Sequence, residues 1–381
     1  MRIIFTVTND LNYDQRMIRI CNSLAENGYA VKIIGRRFKN SPALEKKNYQ
    51  QKRLQLFFKK GFGFYFEYNL KLFFYLLFQK TDILCCIDLD TILPVYFVSI
   101  LKNKIRIYDA HEYFSQLKEI ITRPKIYRVW HFIEKTFVPK FTNGYTVSEG
   151  IAEEFLKNYK VKYEVIRNVP LLKPVSVSTE RRSEKIILYQ GSVNEGRGFE
   201  YLIPAMKNIN AVLHIYGDGN FLEQAKKIAV ENQVQEKVFF KGKFLPNELS
   251  IITAQAYIGI NLVEAFGKNQ LLSLANKFFD YIQNEVPQVT MDFPEYKRIN
   301  DEYEIALLLE NLSVQGIEKS LKILLENKEL YFLLKQNCIK ARAEYNWQNE
   351  EKKLINFYKK FDKKPLITNS KEQITNQYND K

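Results

Sequence analysis

Apolar positions along this chain fall into two alternating patterns. Short runs of aliphatic and aromatic residues give way to longer stretches in which apolar residues return every three or four positions. Arg2–Thr8 is a run of the first kind and predicts a strand. Asp14 then offers an N-cap, Met17, Cys21, Leu24 and Ala25 recur at helical spacing, Gly28 closes the helix, and Ala30–Gly35 predicts a second strand. Further strands are expected at Ile83–Ile87, Lys104–Tyr108, Gly144–Val147 and Tyr163–Arg167, with helical segments between them. Strands that alternate with helices predict a parallel sheet.

Pro170, Pro174 and a Ser/Thr-rich run interrupt both patterns, and then the alternation starts again. Strands are expected at Lys185–Tyr189, Ala211–Tyr216, Val238–Phe240, Tyr257–Asn261 and Gln288–Thr290. The helices between them cover Phe199–Lys207, Phe221–Glu231, Asn247–Ala254 and Ala275–Ile282. The expected fold is α/β, with two Rossmann-like doubly wound parallel-sheet domains facing a cleft. Residues 1–170 would form a first domain, 171–184 a linker and 185–345 a second domain. Residues 346–362 would form a closing helix, and 363–381 a loose polar tail.

At ~150 residues per domain, 381 residues fit two or three self-sufficient cores. A 46% hydrophobic and 26% charged composition excludes a disordered chain. The four cysteines form no CxxC pair and His111, His131 and His214 lie far apart, so a structural zinc site is excluded and a reducing compartment is expected. The start of the chain reads as a strand without a cleavage site, which predicts a cytoplasmic protein.

Net charge adds a further distinction. Residues 1–182 hold 31 Lys+Arg and 17 Asp+Glu, whereas residues 183–381 hold 26 of each. The whole excess of +14 therefore sits on the first half, which points to a polyanionic partner there. Phe62–Phe78 is the most apolar stretch, but Glu67, Asn69 and Lys71 interrupt it, so it is too short and polar to span a bilayer. It follows Lys46, Lys47, Lys52, Arg53, Lys59 and Lys60, so its aromatics predict either a core helix or an interfacial contact with an anionic membrane. Nucleic acid is the weaker partner, because the basic residues are dispersed and no nucleic-acid module is apparent.

The loop after the first strand, Thr8–Tyr13, has no glycine, so a dinucleotide pyrophosphate could not approach it in the GxGxxG manner. Walker A, nucleophile-elbow and HExxH patterns are also absent. The phosphate candidate is Tyr189–Gly198, which joins a strand to a helix. There Gly191 permits close approach and Arg197 offers a planar cationic fork at a helix start.

Gly191–Gly198, Tyr216–Gly219 and Glu264–Gly267 together resemble the donor domain of GT-B glycosyltransferases, most closely the retaining family 4, or group 1. Asn276–Ile282 with Val286-Pro287 is similar to the family's PNK-(L/F)-F-E-Y stretch. Tyr345-Asn346-Trp347 with Leu354 and Tyr358 is similar to its closing helix, which crosses back to the first domain. Asn9-Asp10, Asp14–Arg16, Tyr108–Tyr113 and Val147-Ser148 resemble the same branch, so the likeness spans roughly residues 1–360.

The resemblance implies transfer of a sugar from a nucleoside-diphosphate sugar to a glycan or lipid-linked acceptor, with retention, in cell-surface polysaccharide biosynthesis. A sugar-nucleotide epimerase and a catalytically inactive membrane-surface relative are the alternatives. It implies catalytic roles for His111, Arg197 and Lys277, the cations neutralising the leaving diphosphate without a metal or other cofactor. It also implies donor contacts from Gly191, Ser192, Gly217, Glu264, Asn276 and Asp280, and acceptor-side positions at Asn9, Asp10, Arg16 and Glu112. His131 and His214 are expected to be structural. Two features depart from the pattern. Fifteen residues separate Glu264 from Asp280, with an apparent insertion at Lys268–Ala275, and the usual glycine pair of the first loop is replaced by Asn9-Asp10, so that Arg16 becomes the candidate phosphate ligand there. The place of work implied is the cytoplasm, at the inner face of the cell membrane.

Overall fold

A computed structural model describes residues 1–174, 185–244 and 248–362. The expected loose tail at 363–381 and most of the linker at 171–184 lie outside the described residues, as does the start of the helix expected at Asn247–Ala254.

Two wholly parallel sheets form the protein. The first contains β1 (Arg2–Thr6), β2 (Ala30–Arg36), β3 (Gln50–Leu54), β4 (Ile83–Ile87), β5 (Ile105–Ala110), β6 (Gly144–Thr146) and β7 (Glu164–Val165), in the order β3-β2-β1-β4-β5-β6-β7. The second contains β8 (Ile186–Gln190), β9 (Val212–Tyr216), β10 (Val238–Gly242), β11 (Ile258–Asn261), β12 (Gln288–Met291) and β13 (Ala306–Leu309), in the order β10-β9-β8-β11-β12-β13. Strand order reverses between β1 and β4 and again between β8 and β11. Loops diverge at these two points and leave a crevice at the carboxyl ends of the strands.

Burial explains the apolar runs. All five residues of β4 are buried, and the two faces of the first sheet carry separate cores, because helices cover both. Asp14 caps its helix as expected, accepting a hydrogen bond from the Met17 amide at 3.1 Å. The closing helix Trp347–Lys359 lies on the first domain. There Trp347, Leu354, Phe357 and Tyr358 enter the core beneath β1 and β4, and the Trp347 indole donates to the Ser23 hydroxyl at 3.0 Å.

The Phe62–Phe78 stretch is a helix, Gly61–Leu77, with two distinct faces. Phe64, Tyr68, Leu72 and Leu76 are in the core, whereas Phe62, Phe66, Leu70 and Phe74 on the helix, and Phe78 just beyond it, are exposed. Each set recurs every four residues, so one stripe answers to the core and the other faces outward. Among the described residues, no helix is long and apolar enough to cross a membrane.

The insertion after Glu264 folds as a short helix, Gly267–Leu272, that reaches across to the first domain. The Asn269 side-chain carbonyl accepts from the Tyr113 amide at 2.7 Å, the Leu272 carbonyl accepts from the Ser148 hydroxyl at 2.6 Å, and Lys268 pairs with Glu154 at 2.6 Å. With the Asn168 to Asn276 hydrogen bond at 2.8 Å, these contacts tie the domains together beside the cleft.

Candidate active site

A cavity of about 1950 Å³ lies between the domains at the two reversal points. Its second-domain wall is the β8 loop and the N-terminus of helix Asn276–Gln283, which supply Gln190, Gly191, Ser192, Arg197, Asn276, Lys277 and Asp280. Gly191 has φ +122°, a conformation that disfavours any side chain. Gly217 is required for a different reason. A Cβ there would lie 1.8 Å from the Gly191 carbonyl oxygen, so its backbone packs directly beneath the phosphate-loop candidate.

Two cations face this wall. Lys277 is 9% exposed and its ammonium sits 3.6 Å from the centre of the Tyr189 ring. Burial, reinforced by the neighbouring Arg197 charge, pushes its pKa well below the usual lysine value, and Asp280 offsets this only in part. Among the described residues, no carboxylate forms an ion pair with Lys277 or Arg197. Asp280 accepts from the Gln190 side-chain amide at 3.0 Å, and Gln190 in turn accepts from the Thr253 hydroxyl at 2.8 Å. Burial pushes the Asp280 carboxyl up to about 7, against the opposing influence of Arg19 and of its own hydrogen bond.

The first-domain wall is built from the carboxyl ends of β1, β4 and β5. Asp109 at the end of β5 is fully buried and binds two basic groups, the Arg16 guanidinium at 3.1 Å and the His111 Nε2 at 3.0 Å. Burial alone would raise the Asp109 carboxyl, but Arg16 and His111 hold it below the usual range. Burial alone would likewise lower His111, but Asp109 more than compensates and raises it. With Nε2 engaged, Nδ1 is the ring nitrogen left for a ligand. Asp88, just past β4, accepts from the His111 amide at 2.8 Å and the Glu112 amide at 3.2 Å, and it holds a strained φ of +53°. Asp90 accepts from the Thr8 hydroxyl at 2.6 Å, and burial pushes its carboxyl up to about 7. Glu112 is also raised, by burial and then by Glu119, with His111 and Arg197 opposing.

Residues 175–342 match the family model for glycosyl transferases, group 1. This match covers the second domain, less than half of the chain. Solved structures show the GT-B fold over both domains. Sucrose-phosphate synthase from Thermosynechococcus elongatus superposes with a TM-score of 0.78 at 15% identity, covering 94% of this chain and 98% of that one. HepE of Anabaena, in complex with UDP and glucose, gives 0.75 at 11% identity over 94% and 99%. WaaG, a glycosyltransferase involved in lipopolysaccharide biosynthesis, gives 0.71 at 15% identity over 93% and 99%. No curated protein matches the sequence.

In this glycosyltransferase the structure brings most of the expected residues to one cavity: Asn9, His111, Glu112, Gly191, Ser192, Arg197, Asn276, Lys277 and Asp280. Asp10, Gly217 and Glu264 do not border it. Asp10 is paired with Arg53 at 2.6 Å, and Glu264 lies behind the β8 loop, its amide donating to the Gly196 carbonyl at 3.0 Å. Arg16 borders the cavity but is only 3% exposed. Its guanidinium donates to the Ile166 carbonyl at 2.9 Å as well as to Asp109, so it is not free to replace the missing glycine pair as a phosphate ligand.

Sequence reasoning missed Asp88, Asp90, Asp109 and Gln190. Three of these stand at or just beyond the end of a fully apolar strand, the position where a doubly wound sheet presents its chemistry, and that was the available signal.

Proposed function

We propose that this glycosyltransferase moves a sugar from a nucleoside-diphosphate sugar to a lipid-linked glycan acceptor, with retention of configuration, in cell-surface polysaccharide assembly. The observation that carries the donor half is that Arg197 and Lys277, which form no ion pair among the described residues, line the same cavity wall as Gly191. A diphosphate placed there would neutralise both, and they would stabilise the charge that develops on it as the bond to the anomeric carbon breaks. Asp280, one turn along the same helix, suits the ribose hydroxyls, and the two cations stand where a metal would otherwise be needed. The HepE structures that hold UDP and UDP-glucose favour this class of donor.

In the chemical step the acceptor oxygen bonds to the anomeric carbon as the phosphate oxygen leaves. The acceptor proton passes to that phosphate on the same face, so no side chain is asked to form a covalent intermediate. The His111 ring, held by Asp109, is set to contact the donor sugar through Nδ1.

The acceptor half rests on charge and exposed apolar surface. The net positive charge of residues 1–182 and the outward aromatic stripe of helix Gly61–Leu77 support docking at an anionic membrane, and the inner face of the cell membrane is the proposed place of work. A thermal-shift panel of UDP-, GDP-, ADP- and CMP-sugars, run with EDTA present, tests the donor claim. One of them should raise the melting temperature, and no shift with any would sink it. The raised carboxyls of Asp88, Asp90 and Glu112 favour one second reading, a sugar-nucleotide epimerase. Epimerised donor after incubation without acceptor would decide for that reading.

A further inference from the structure

The cavity is about twice the upper end of the ~300–1,000 Å³ usual for one small-molecule site, and its two ends differ in chemistry. Beyond Asp88 and His111, the wall is made by three helices of the first domain: Gly61–Leu77, Ile92–Leu101 and Pro124–Phe137. They present Phe62, Phe66, Phe73, Phe97, Val129 and Trp130 to the same cavity that holds Arg197 and Lys277. Phe62 is 82% exposed, Phe66 59% and Val129 56%, so this is open apolar surface rather than core. Trp130 is held rigidly by edge-on contacts with Tyr65 at 5.0 Å and Phe114 at 4.9 Å. A sugar nucleotide has no long hydrocarbon chain to cover such an extended apolar wall.

Cations accompany the apolar wall. Arg123 and Lys125 line the cavity at the start of helix Pro124–Phe137, with Arg128 exposed one turn on. Neither Arg123 nor Lys125 has an ion-pair partner among the described residues. Outside the cavity the apolar surface continues through Phe74, Ile100 and Phe132. An amphiphile with an anionic headgroup and a long hydrocarbon chain meets each of these features.

We infer that this arm of the cavity binds the acceptor's own lipid, its single hydrocarbon chain lying along Phe62, Phe66, Phe97 and Trp130 and its phosphate on Arg123 and Lys125. The inference rests on the lipid-linked acceptor proposed above, and it goes further. The chain is drawn out of the bilayer into the protein, so the enzyme recognises the lipid and not only the glycan. Association with a membrane surface alone would not require a wall continuous with the reaction site.

Trp130 reports on the arm directly, because the only other tryptophan, Trp347, is 3% exposed in the closing helix. The full chain is titrated with n-dodecyl phosphate below its micelle concentration, with n-butyl phosphate as control and no vesicles present. A saturable blue shift of emission is expected, absent in Trp130→Phe. Affinity should fall about fourfold for each methylene removed from the chain. Val129→Glu should weaken binding more than tenfold, with its ligand-free melting temperature as the check on folding.

No response to dodecyl phosphate overturns the inference, as does an equal response to butyl phosphate. A response unchanged in a folded Val129→Glu overturns it too. Sedimentation velocity distinguishes another occupant. A concentration-dependent dimer that dodecyl phosphate does not dissociate would place a second copy on this wall and overturn the inference. Co-sedimentation with phosphatidylcholine/phosphatidylglycerol vesicles tests membrane docking separately. Vesicle binding without a dodecyl phosphate response removes the arm and keeps the docking, and the reverse result removes the docking and keeps the arm.

Discussion

Asp109→Asn tests the coupling that organises the first-domain wall. Asp109 is fully buried between Arg16 at 3.1 Å and His111 at 3.0 Å, and Arg16 is itself only 3% exposed. The amide keeps the volume but removes the charge, leaving the Arg16 guanidinium buried with the Ile166 carbonyl as its remaining partner. Removing one member of a buried pair costs about 3–5 kcal/mol. At ~2–4 °C per kcal/mol for a domain of this size, the melting temperature should fall by about 6–20 °C.

The second readout is His111 itself. In the native protein its pKa lies above the ordinary value because Asp109 overcomes burial and the repulsion of Arg16, with Asp88 adding to the rise. Without Asp109, burial and Arg16 act with Asp88 opposing them, so the His111 pKa should fall. The sign for stability follows. The raised His111 contributes stability that is full below pH ~6.5 and lost as pH rises through its folded value. The depressed Asp109 contributes stability that is present above pH ~3.9 and lost as pH falls through its own folded value. Nitrogen-15 NMR of labelled histidine, with the His111 signal assigned by its loss in His111→Gln, measures the titration. An unchanged His111 pKa together with a melting temperature within about 1 °C of wild type would refute the coupling.

Three further outcomes follow from the second domain. Arg197→Ala should lower kcat by about 10²–10³-fold with circular dichroism unchanged, since the side chain has no ion pair to lose among the described residues. Full activity would remove Arg197 from the diphosphate site. Affinity for a nucleoside diphosphate should decline as pH falls through about 7, where Asp280 gains a proton and can no longer accept from two ribose hydroxyls. Asp280→Asn should flatten that profile when binding is followed by calorimetry. Gly217→Ala should destabilise by more than about 1–3 kcal/mol in a urea titration, because a Cβ there meets the Gly191 carbonyl at 1.8 Å and φ is +149°.

Parallel, doubly covered strands were legible because burial on both faces makes them continuous apolar runs, as in Ile83–Ile87. β3 was not, because Gln50–Leu54 is an edge strand in which only Leu54 is buried, so nothing in its polar sequence separates it from a loop. β13, an edge strand of the second sheet, was missed as well. The cation half of the site was legible because Gly191, Arg197 and Lys277 occur within recognisable loop and helix starts. The carboxylate half was not, because its pairings are long-range. Arg16 finds Asp109 only when the helix after β1 packs beside β5, 93 residues away in sequence. The same distance misdirected Arg16, which looked free for phosphate until its partner was known. The insertion after Glu264 was visible as an irregular spacing, but its use as a bridge to Tyr113 and Ser148 needed the fold.

The central claim is that a donor diphosphate sits between Arg197 and Lys277, and proton-linked titration calorimetry measures it most directly. Uridine, guanosine, adenosine and cytidine diphosphates are titrated at pH 8 in buffers of different ionisation enthalpy. A diphosphate favours the charged form of the depressed Lys277 amine, so proton exchange linked to this group should run toward uptake. Uptake should vanish in Lys277→Gln, and affinity should fall at least tenfold in Arg197→Ala. Absence of binding by all four nucleotides, or tight binding with no proton uptake and no loss in Arg197→Ala, would contradict it.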